Sequence, residues 1–335
     1  MPIGSPTLWL VTIAGVLALF VLDFLITRRP HAVSMREAIG WSVFYVAIPV
    51  AFGAWLWRAY GSEIGLQFSA GYLVEKSLSV DNLFVFMLLL GAFAVPRELQ
   101  QRVLLIGVAG ALVLRAIFIA VGAQLIANFT WAFLLFGAIL LATAVKVLRD
   151  AMAPADHSID VAQLRSVRIL RRFSPVTDGY HGPRLSVQDG GRRALTPMAL
   201  VIVAILGTDV VFAIDSIPAV YGITGDPYLV FVTNAFALLG LRALYFVLEG
   251  ALKHLAHLGY GLAAILGFIG VKLVLHWASG IWAGLPHIPT LASLGVIVGI
   301  LTVTVVTSLL AARREQASRE RAAAEARPPV GADER

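Results

Sequence analysis

The sequence lacks cysteine and is poor in charge. No cysteine occurs among its 335 residues, which excludes a disulfide framework, thiolate metal sites and cysteine catalysis. Only 14% of the residues are charged and 59% are hydrophobic, whereas a soluble domain carries about 25% charged residues. Most of the chain must therefore contact lipid or other apolar helices, and the partner that the composition predicts is a lipid bilayer.

The apolar residues are grouped into long runs. A helix needs about 20 mostly apolar residues to cross a bilayer, and nine segments meet this condition, which predicts an all-α membrane protein with about nine transmembrane helices. The segments are 7–27, 39–57, 68–92, 103–125, 130–148, 197–218, 227–248, 258–276 and 290–312. Because Arg28 and Arg29 follow the first segment, it is predicted to be a retained span and not a secretory signal.

The basic residues are concentrated in alternate loops. The connector 149–196 and the tail 313–335 are rich in arginine, whereas Arg58 is the only basic residue in the other set of loops. By the positive-inside rule, the N-terminus lies outside and the C-terminus in the cytoplasm, in the inner (plasma) membrane. This placement argues against a nucleic-acid partner, although the net charge is +6.

Acidic residues interrupt two of the apolar segments. Residues 75–82 read Glu-Lys-Ser-Leu-Ser-Val-Asp-Asn, and residues 209–216 read Asp-Val-Val-Phe-Ala-Ile-Asp-Ser. Each places a second acid six residues after the first, followed by a small polar residue. Because charge within a membrane span is expensive, these acids indicate a functional site.

The two acidic helices begin two similar units. Each is followed by a helix with an arginine, Arg115 or Arg242, and then by a helix with a lysine, Lys146 or Lys272. Three helices per unit make the second unit enter from the opposite face, which predicts two inverted three-helix repeats with a substrate site at the midplane between them. The predicted organisation is two N-terminal helices (1–67), the first repeat (68–148), a cytoplasmic basic connector (149–196), the second repeat (197–276), a final helix (277–312) and a cytoplasmic tail (313–335). The tail is predicted to begin as a frayed helix and to run into disorder.

The polar residues of the acidic helices are oxygen ligands. Neither acidic segment contains His or Met, and hard oxygen sites prefer Mg²⁺, Ca²⁺ or Mn²⁺ over copper or zinc. Protonation of some of the carboxylates would couple proton movement to metal movement. The predicted metal ligands are Glu75, Asp81, Asn82, Asp209, Asp215 and Ser216, and Thr208 and Asn234 are predicted to line the pathway.

Helix geometry limits which of these residues share a face. Residues six apart lie about 120° from each other around a regular helix, whereas Glu75, Ser79 and Asn82 lie on one face. In the second copy, Pro218 predicts a distortion, because proline cannot donate to the carbonyl of Ile214 and clashes with it.

The intramembrane bases support a second interpretation, in which the acids form structural ion pairs and bind no substrate. Asp23, near the cytoplasmic end of the first span, is predicted to pair with Arg28 or Arg29. No plausible nucleophile and base arrangement with His lies within the spans, so the protein is not expected to be an enzyme. The bases predicted to balance charge are Lys76, Arg115, Lys146, Arg242 and Lys272.

The motifs resemble those of the TerC family of integral membrane proteins, named after tellurite resistance. Residues 75–86 are similar to its first signature, and residues 209–219 and 234–245 are similar to its second. The connector segment Pro-Val-Thr-Asp-Gly-Tyr at 175–180 also matches, and the resemblance covers roughly residues 35–310.

The resemblance implies a membrane exporter of Mn²⁺, as transported substrate and not as a permanently bound cofactor, related to the lysine-exporter-like superfamily of inverted repeats. It also implies that the acids and their polar neighbours carry the site. Two alternatives remain open, an exporter of a small organic substrate and a non-transporting component of a tellurite or envelope-stress resistance complex. Leu206 stands where many members have a glutamate, so one potential oxygen ligand is missing.

Overall fold

The chain is folded into helices that are joined mostly by short loops. The computed structural model describes residues 3–27, 34–152, 175–177, 179–189, 192–251, 257–282, 285 and 288–325. Within these residues there are ten α-helices and one two-stranded hairpin. The helices are α1 (Pro6–Thr27), α2 (Met35–Tyr60), α3 (Ser62–Ala92), α4 (Arg97–Asn128), α5 (Trp131–Met152), α6 (Pro197–Tyr221), α7 (Pro227–Leu238), α8 (Leu241–Ala251), α9 (Leu258–Ser279) and α10 (Thr290–Glu325), and the strands are β1 (Ser186–Asp189) and β2 (Arg192–Leu195).

Most of the helices are long and apolar enough to cross a bilayer. Within the described residues, seven helices meet this condition singly, and α7 with α8 meets it as one bent pair, which gives up to eight spans. α3 has 31 residues, the length of a span, but Glu75, Lys76 and Asp81 make it more polar. The predicted class, an all-α multi-pass membrane protein, is confirmed, whereas the number of nine spans and the inverted repeats stay predictions.

Large apolar side chains cover the outside of the bundle. Leu10 of α1 is 72% exposed, and Val43 of α2 and Val303 of α10 are each 63% exposed. Apolar surface of this extent is unfavourable in water and is stable against lipid tails. By contrast, every residue of α7 from Tyr228 to Leu238 is buried, so α7 lies at the centre of the bundle.

The predicted segment 227–248 is broken into α7 and α8. The two helices are bent by 41° relative to each other, and Leu239 and Gly240 connect them. Gly240 has a φ of +79°, a conformation that residues with a Cβ rarely adopt. A Cβ on Gly240 would also overlap the side chain of Tyr45 in α2. Glycine therefore permits both the break and the close approach of α2.

α6 is not interrupted at Pro218, where the sequence predicts a distortion. The structure describes α6 throughout, and α6 continues as one α-helix past Pro218 to Tyr221. Pro218 lies in the last turn of α6, where its missing N–H removes one hydrogen bond and little helix follows that its ring could displace. The interruption in the second predicted repeat lies at Gly240, in the helix pair that follows α6.

The helices that the repeat prediction treats as equivalent pack against each other. α3 contacts α6, α4 contacts α7, and α5 packs along α9. A Cβ on Gly137 of α5 would lie 3.0 Å from the carbonyl oxygen of Gly270 in α9, so glycine permits the close approach of the two backbones. Pairwise packing of this kind is compatible with a pseudo-two-fold axis between two repeats, which stays a prediction.

The connector contributes a small sheet that the sequence did not predict. β1 pairs antiparallel with β2, and Val176 bridges to Leu195. The hydroxyl of Tyr180 donates to the carbonyl of Phe93 at the end of α3, at 2.8 Å. Partial burial raises the pKa of Tyr180 to about 12, so this donor stays protonated at neutral pH. The basic stretch 165–172 of the connector lies outside the described residues.

The last helix extends beyond the predicted span. α10 runs to Glu325, so the helix predicted for the first part of the tail is a continuation of the last span over residues 313–325. Alanine, arginine and glutamate dominate this stretch and are among the strongest helix formers. Residues 326–335 lie outside the described part of the chain.

Candidate functional site

Arg115 of α4 lies at the centre of the bundle with a side chain that is 0% exposed. No other charged residue lies between Arg102 and the end of α4 at Asn128. A guanidinium has five N–H donors, and burial removes water as their partner. The partners that Arg115 finds come from three other helices, α3, α6 and α7.

Two carboxylates bind the guanidinium. Nη1 of Arg115 donates to Oε1 of Glu75. Nη2 donates to Oδ1 of Asp209 at 3.0 Å, and Nε donates to Oδ2 at 3.4 Å, which is the two-pronged arrangement that arginine makes with a carboxylate. The side chains of Glu75 and Asp209 are 0% and 1% exposed. The first acid of each acidic segment therefore reaches the same buried cation.

Neutral oxygens complete the surroundings of Arg115. Nη1 also donates to Oδ1 of Asn234 at 2.8 Å and to Oγ of Ser216 at 3.1 Å. With its amide oxygen facing Arg115, Asn82 accepts from Nη2 at 3.3 Å, and its amide nitrogen donates to the carbonyl of Leu78 at 3.0 Å. We call Arg115 with Glu75, Asn82, Asp209, Ser216 and Asn234 the Arg115 centre.

Helix periodicity explains which predicted residues meet in the Arg115 centre. Asn82 follows Glu75 by seven residues, and Ser216 follows Asp209 by seven residues. Seven residues are close to two helical turns, so each pair lies on one face of its helix. Four of the six predicted metal ligands are thereby brought together, along with Asn234, which was predicted for the pathway.

The second acids of the two segments, Asp81 and Asp215, are not part of the Arg115 centre as described. Asp215 is partly buried and, among the described side chains, does not hydrogen-bond with Arg115. It lies close enough to Glu75 and Arg115 to interact with both electrostatically. The side chain of Asp81 lies outside the described residues. The spacing of six thus separates Asp215 from the face that holds Asp209.

Three buried oxygens on α3 have no hydrogen-bond partner among the described residues. They are Oε2 of Glu75, Oγ of Ser79 and the hydroxyl of Tyr72. Spacings of three and four residues place them on one face of α3. Buried polar atoms normally have a hydrogen-bond partner. A proton, a water molecule or a cation bound at this row of oxygens would therefore stabilise it. Tyr72 was not among the predicted site residues.

Lys76 does not neutralise its neighbour Glu75 in the described structure. Its Nζ donates to the carbonyl of Ala237 at 3.3 Å. Ala237 lies in the last turn of α7, where a cation stabilises the free carbonyls and the negative end of the helix dipole. Lys76 therefore supports the break between α7 and α8, and within the described part of the chain Glu75 pairs with Arg115.

Three further predicted residues lie apart from the Arg115 centre. Nζ of Lys272 donates to Oγ of Ser293 in α10 at 3.0 Å. Lys146 is exposed on α5. The hydroxyl of Thr208 donates to the carbonyl of Ala204 at 2.8 Å, one turn earlier in α6.

Asp23 of α1 pairs with Arg242 of α8. Both carboxylate oxygens of Asp23 accept from Nε of Arg242 at 3.1 Å, and Oδ1 also accepts from Nη2 at 2.6 Å. The buried guanidinium of Arg242 thereby gains a carboxylate from another helix, which the sequence did not predict. Arg28 and Arg29 lie outside the described residues, so their predicted pairing with Asp23 stays a prediction.

No group of three or more His, Asp or Glu side chains that could hold a metal ion occurs among the described residues. The Arg115 centre offers two carboxylates with amide and hydroxyl oxygens, and the guanidinium of Arg115 is bonded to these oxygens. The set is of the kind that hard cations take, but in this arrangement a protein cation holds it.

A cavity of about 560 Å³ opens at one end of the four helices that form the Arg115 centre. Its lining includes Glu63 in the first turn of α3, Asp226 at the start of α7 and Tyr221 at the end of α6. Glu63 precedes Glu75 by 12 residues, or about 18 Å of helix rise. The cavity therefore lies on the side of the Arg115 centre that the charge distribution predicts to be external.

The acids of the Arg115 centre were identified from the sequence, but the residue that binds both of them was not. Arg115 was predicted to balance charge in the membrane, and its contacts agree with that role. What the prediction missed is that one arginine would bind both acidic segments. The sequence signal for this role was the position of Arg115, a single charged residue in the middle of a 32-residue helix.

A bundle of membrane helices around a buried charged centre is the architecture of an integral multi-pass membrane protein of the transporter type. The model of the integral membrane protein TerC family matches residues 60–316. The chain belongs to this family.

Similar proteins occur in several bacteria. An uncharacterized membrane protein of Myxococcus xanthus is 39% identical over 317 residues, which cover 94% of this chain and 96% of the relative. A putative membrane-bound redox modulator, Alx, of Salmonella typhi is 42% identical over 314 residues, 91% of this chain and 94% of the relative. An uncharacterized membrane protein of Mycobacterium tuberculosis is 44% identical over 273 residues, 81% of this chain and 69% of the relative. No solved structure matches the chain.

Proposed function

We propose that the protein exports a hard divalent cation, with Mn²⁺ as the first candidate, by alternating access. The observation that carries this proposal is the convergence of Glu75 and Asp209 on one buried centre. The two acids come from the two motif helices α3 and α6, which begin the predicted repeats. Transporters built from inverted repeats bind their substrate between the repeats.

The chemistry of the Arg115 centre supports a hard cation as substrate. Two carboxylates match the charge of a divalent ion, and Asn82, Ser216 and Asn234 add neutral oxygens. Carboxylate, amide and hydroxyl oxygens suit Mn²⁺, Mg²⁺ or Ca²⁺ better than copper or zinc. Asp81 and Asp215, six residues after the first acids, supply further carboxylates on the same helices.

The direction of transport is proposed from charge. The distribution of arginine favours an N-terminus outside and a C-terminus in the cytoplasm, in the inner (plasma) membrane. The cavity that carries Glu63 and Asp226 would then be the outer mouth, and its acids would favour cations over anions there. Protonation of the site carboxylates as the ion leaves would couple export to proton entry.

The ion pairs of Arg115 favour a second candidate function. If Arg115 permanently neutralises Glu75 and Asp209, the protein is a non-transporting membrane component in which the acids only stabilise helix packing. Its relative Alx bears the name of a putative redox modulator. Because this chain has no cysteine, a redox role would have to proceed without thiols of its own.

Uptake of Mn²⁺ into inside-out vesicles that contain the purified protein tests the proposal. Wild type and Glu98→Gln, an exposed position in the first turn of α4, should accumulate Mn²⁺. Asp209→Asn, Asp81→Asn and Asp215→Asn should insert normally and accumulate little. Equal uptake by wild type and all three variants would contradict the site, and no uptake by wild type would favour the non-transporting candidate.

A further inference from the structure

We propose that Arg115 is an internal competitor of the transported cation, so that its guanidinium and the cation take the same oxygens in turn. The inference rests on the proposed function and adds a step to it. Cation binding would require Arg115 to leave Glu75 and Asp209, and cation release would be driven by its return.

The first argument is that the ligands are shared. Among the described residues, the hydrogen-bond acceptors of Arg115 are side-chain oxygens of Glu75, Asp209, Ser216 and Asn234, with Asn82 as a fifth. These are the same oxygens that a hard cation would use. A cation among them would lie within a few ångströms of the guanidinium, and two positive charges repel strongly at that distance in a low dielectric. Occupancy by one therefore excludes the other.

The second argument is charge balance. When Glu75 and Asp209 are both ionised, one guanidinium neutralises only one of their two negative charges, so their pairing with Arg115 leaves a buried excess of negative charge. A divalent cation neutralises both carboxylates. Oε2 of Glu75 and Oγ of Ser79, which have no partner among the described residues, would provide the first contacts for an arriving cation while Arg115 still holds Oε1.

The third argument is that Arg115 has another carboxylate to move to. Asp215 is next to Ser216, whose hydroxyl already accepts from Nη1 of Arg115 at 3.1 Å. It is partly buried and lies within electrostatic range of Arg115. A rotation of the guanidinium from Asp209 to Asp215 would keep the arginine paired while the cation occupies the Arg115 centre.

The second intramembrane arginine provides a matched control. Arg242 is bonded to Asp23 of α1 by three hydrogen bonds, and the described residues of α1 supply none of the acceptors of Arg115. Arg242 in α8 resembles Arg115 in burial and in local sequence, but its partner Asp23 lies outside the proposed site. Removal of Arg242 should therefore change stability without changing competition for the cation.

The experiment measures Mn²⁺ binding to the full-length protein in detergent by calorimetry, together with the melting temperature with and without Mn²⁺. Arg115→Gln should bind Mn²⁺ at least about tenfold more tightly than wild type, because a competing state is removed. Its melting temperature should fall without Mn²⁺ and recover with it, and its transport should be lost because the ion is not displaced. Arg242→Gln should bind Mn²⁺ as wild type does.

Further variants decide the role of each carboxylate. Asp209→Asn added to Arg115→Gln should abolish the tight binding. Asp215→Asn should weaken binding in wild type but not in Arg115→Gln, since Asp215 is proposed to receive Arg115. If Arg115→Gln does not fold, Arg115→Lys, which keeps the charge but lacks the two-pronged fork, should show a smaller tightening.

The possible results separate this inference from the proposed function. Transport by wild type with no tighter binding by Arg115→Gln or Arg115→Lys would overturn the competition and leave the proposed function standing. Neither transport nor Mn²⁺ binding by wild type and both Arg115 variants would overturn both. Weaker binding by Asp215→Asn in the Arg115→Gln protein would make Asp215 a ligand and overturn its role as the second partner of Arg115.

Discussion

Asp23 of α1 and Arg242 of α8 form a buried ion pair, although 219 residues separate them in the chain. The three hydrogen bonds between them tie α1, which precedes the residues matched by the TerC family model, to the helix that follows the break at Gly240. α1 is otherwise a largely exposed helix, with Leu10 at 72% exposure. The pair is therefore a principal polar attachment of α1 to the bundle.

This pair predicts a strong energetic coupling. Removing one member takes from the other its buried ionic partner, so Asp23→Asn or Arg242→Gln should each lower the free energy of unfolding by about 3 kcal/mol. The double variant should lose less than the sum of the two, because each single change already removes the same ion pair. Unfolding in mixed detergent micelles measures all four proteins, and purely additive losses would contradict the coupling.

The two acids of α6 should differ in their effect on stability. Asp209 makes two hydrogen bonds with the buried Arg115, so Asp209→Asn should cost about 3 kcal/mol. Asp215 is partly exposed and outside this contact, so Asp215→Asn should change stability by less than about 1 kcal/mol. Thermal unfolding in detergent without divalent cations makes the comparison. Equal losses would show that Asp215 also supports the fold.

The break between α7 and α8 should depend on Gly240. Gly240→Ala introduces a Cβ at a φ of +79° and against Tyr45, which should destabilise the protein by roughly 2 kcal/mol or more. Gly295→Ala in α10 is the matched control, because its Cβ would meet nothing within 4 Å. That change should be neutral or stabilise by up to about 1 kcal/mol through helix propensity. Equal melting temperatures for the two variants would contradict the role of Gly240.

The absence of cysteine makes the proposed orientation easy to test. Ser62→Cys at the start of α3 and Ser318→Cys near the end of α10 are conservative changes at exposed positions. A membrane-impermeant thiol reagent added to intact cells or spheroplasts should label Cys at position 62 and not at position 318. After the membrane is opened, both should react, and labelling of position 318 alone in intact cells would reverse the proposed topology.

Much of the helical frame could be predicted from the sequence, because a bilayer demands long apolar segments. Each of the nine predicted segments lies, to within one residue, in a helix or in the bent pair α7 and α8. The sequence did not predict the break at Gly240, which depends on the close approach of Tyr45 in another helix, α2. At Pro218, where a distortion is predicted, α6 continues to its end at Tyr221.

The candidate site was predicted in its residues but not in its arrangement. Periodicity alone placed Glu75 and Asn82 on one face, and the same spacing joins Asp209 and Ser216. It could not say that Arg115 would bind both pairs, that Lys76 would turn to the carbonyl of Ala237, or that Arg242 would take Asp23 as its partner. These contacts join residues between 33 and 219 positions apart.

What the sequence determined by itself is therefore the class of protein, the helical segments and the acidic residues, because each follows from hydropathy and periodicity within one segment. Which base meets which acid was decided only by the tertiary structure. Every buried charge needs a partner of opposite sign, but the sequence offers several bases for each acid. Helix packing brings a particular pair within hydrogen-bond distance, and here it brought Arg115 to both acidic helices.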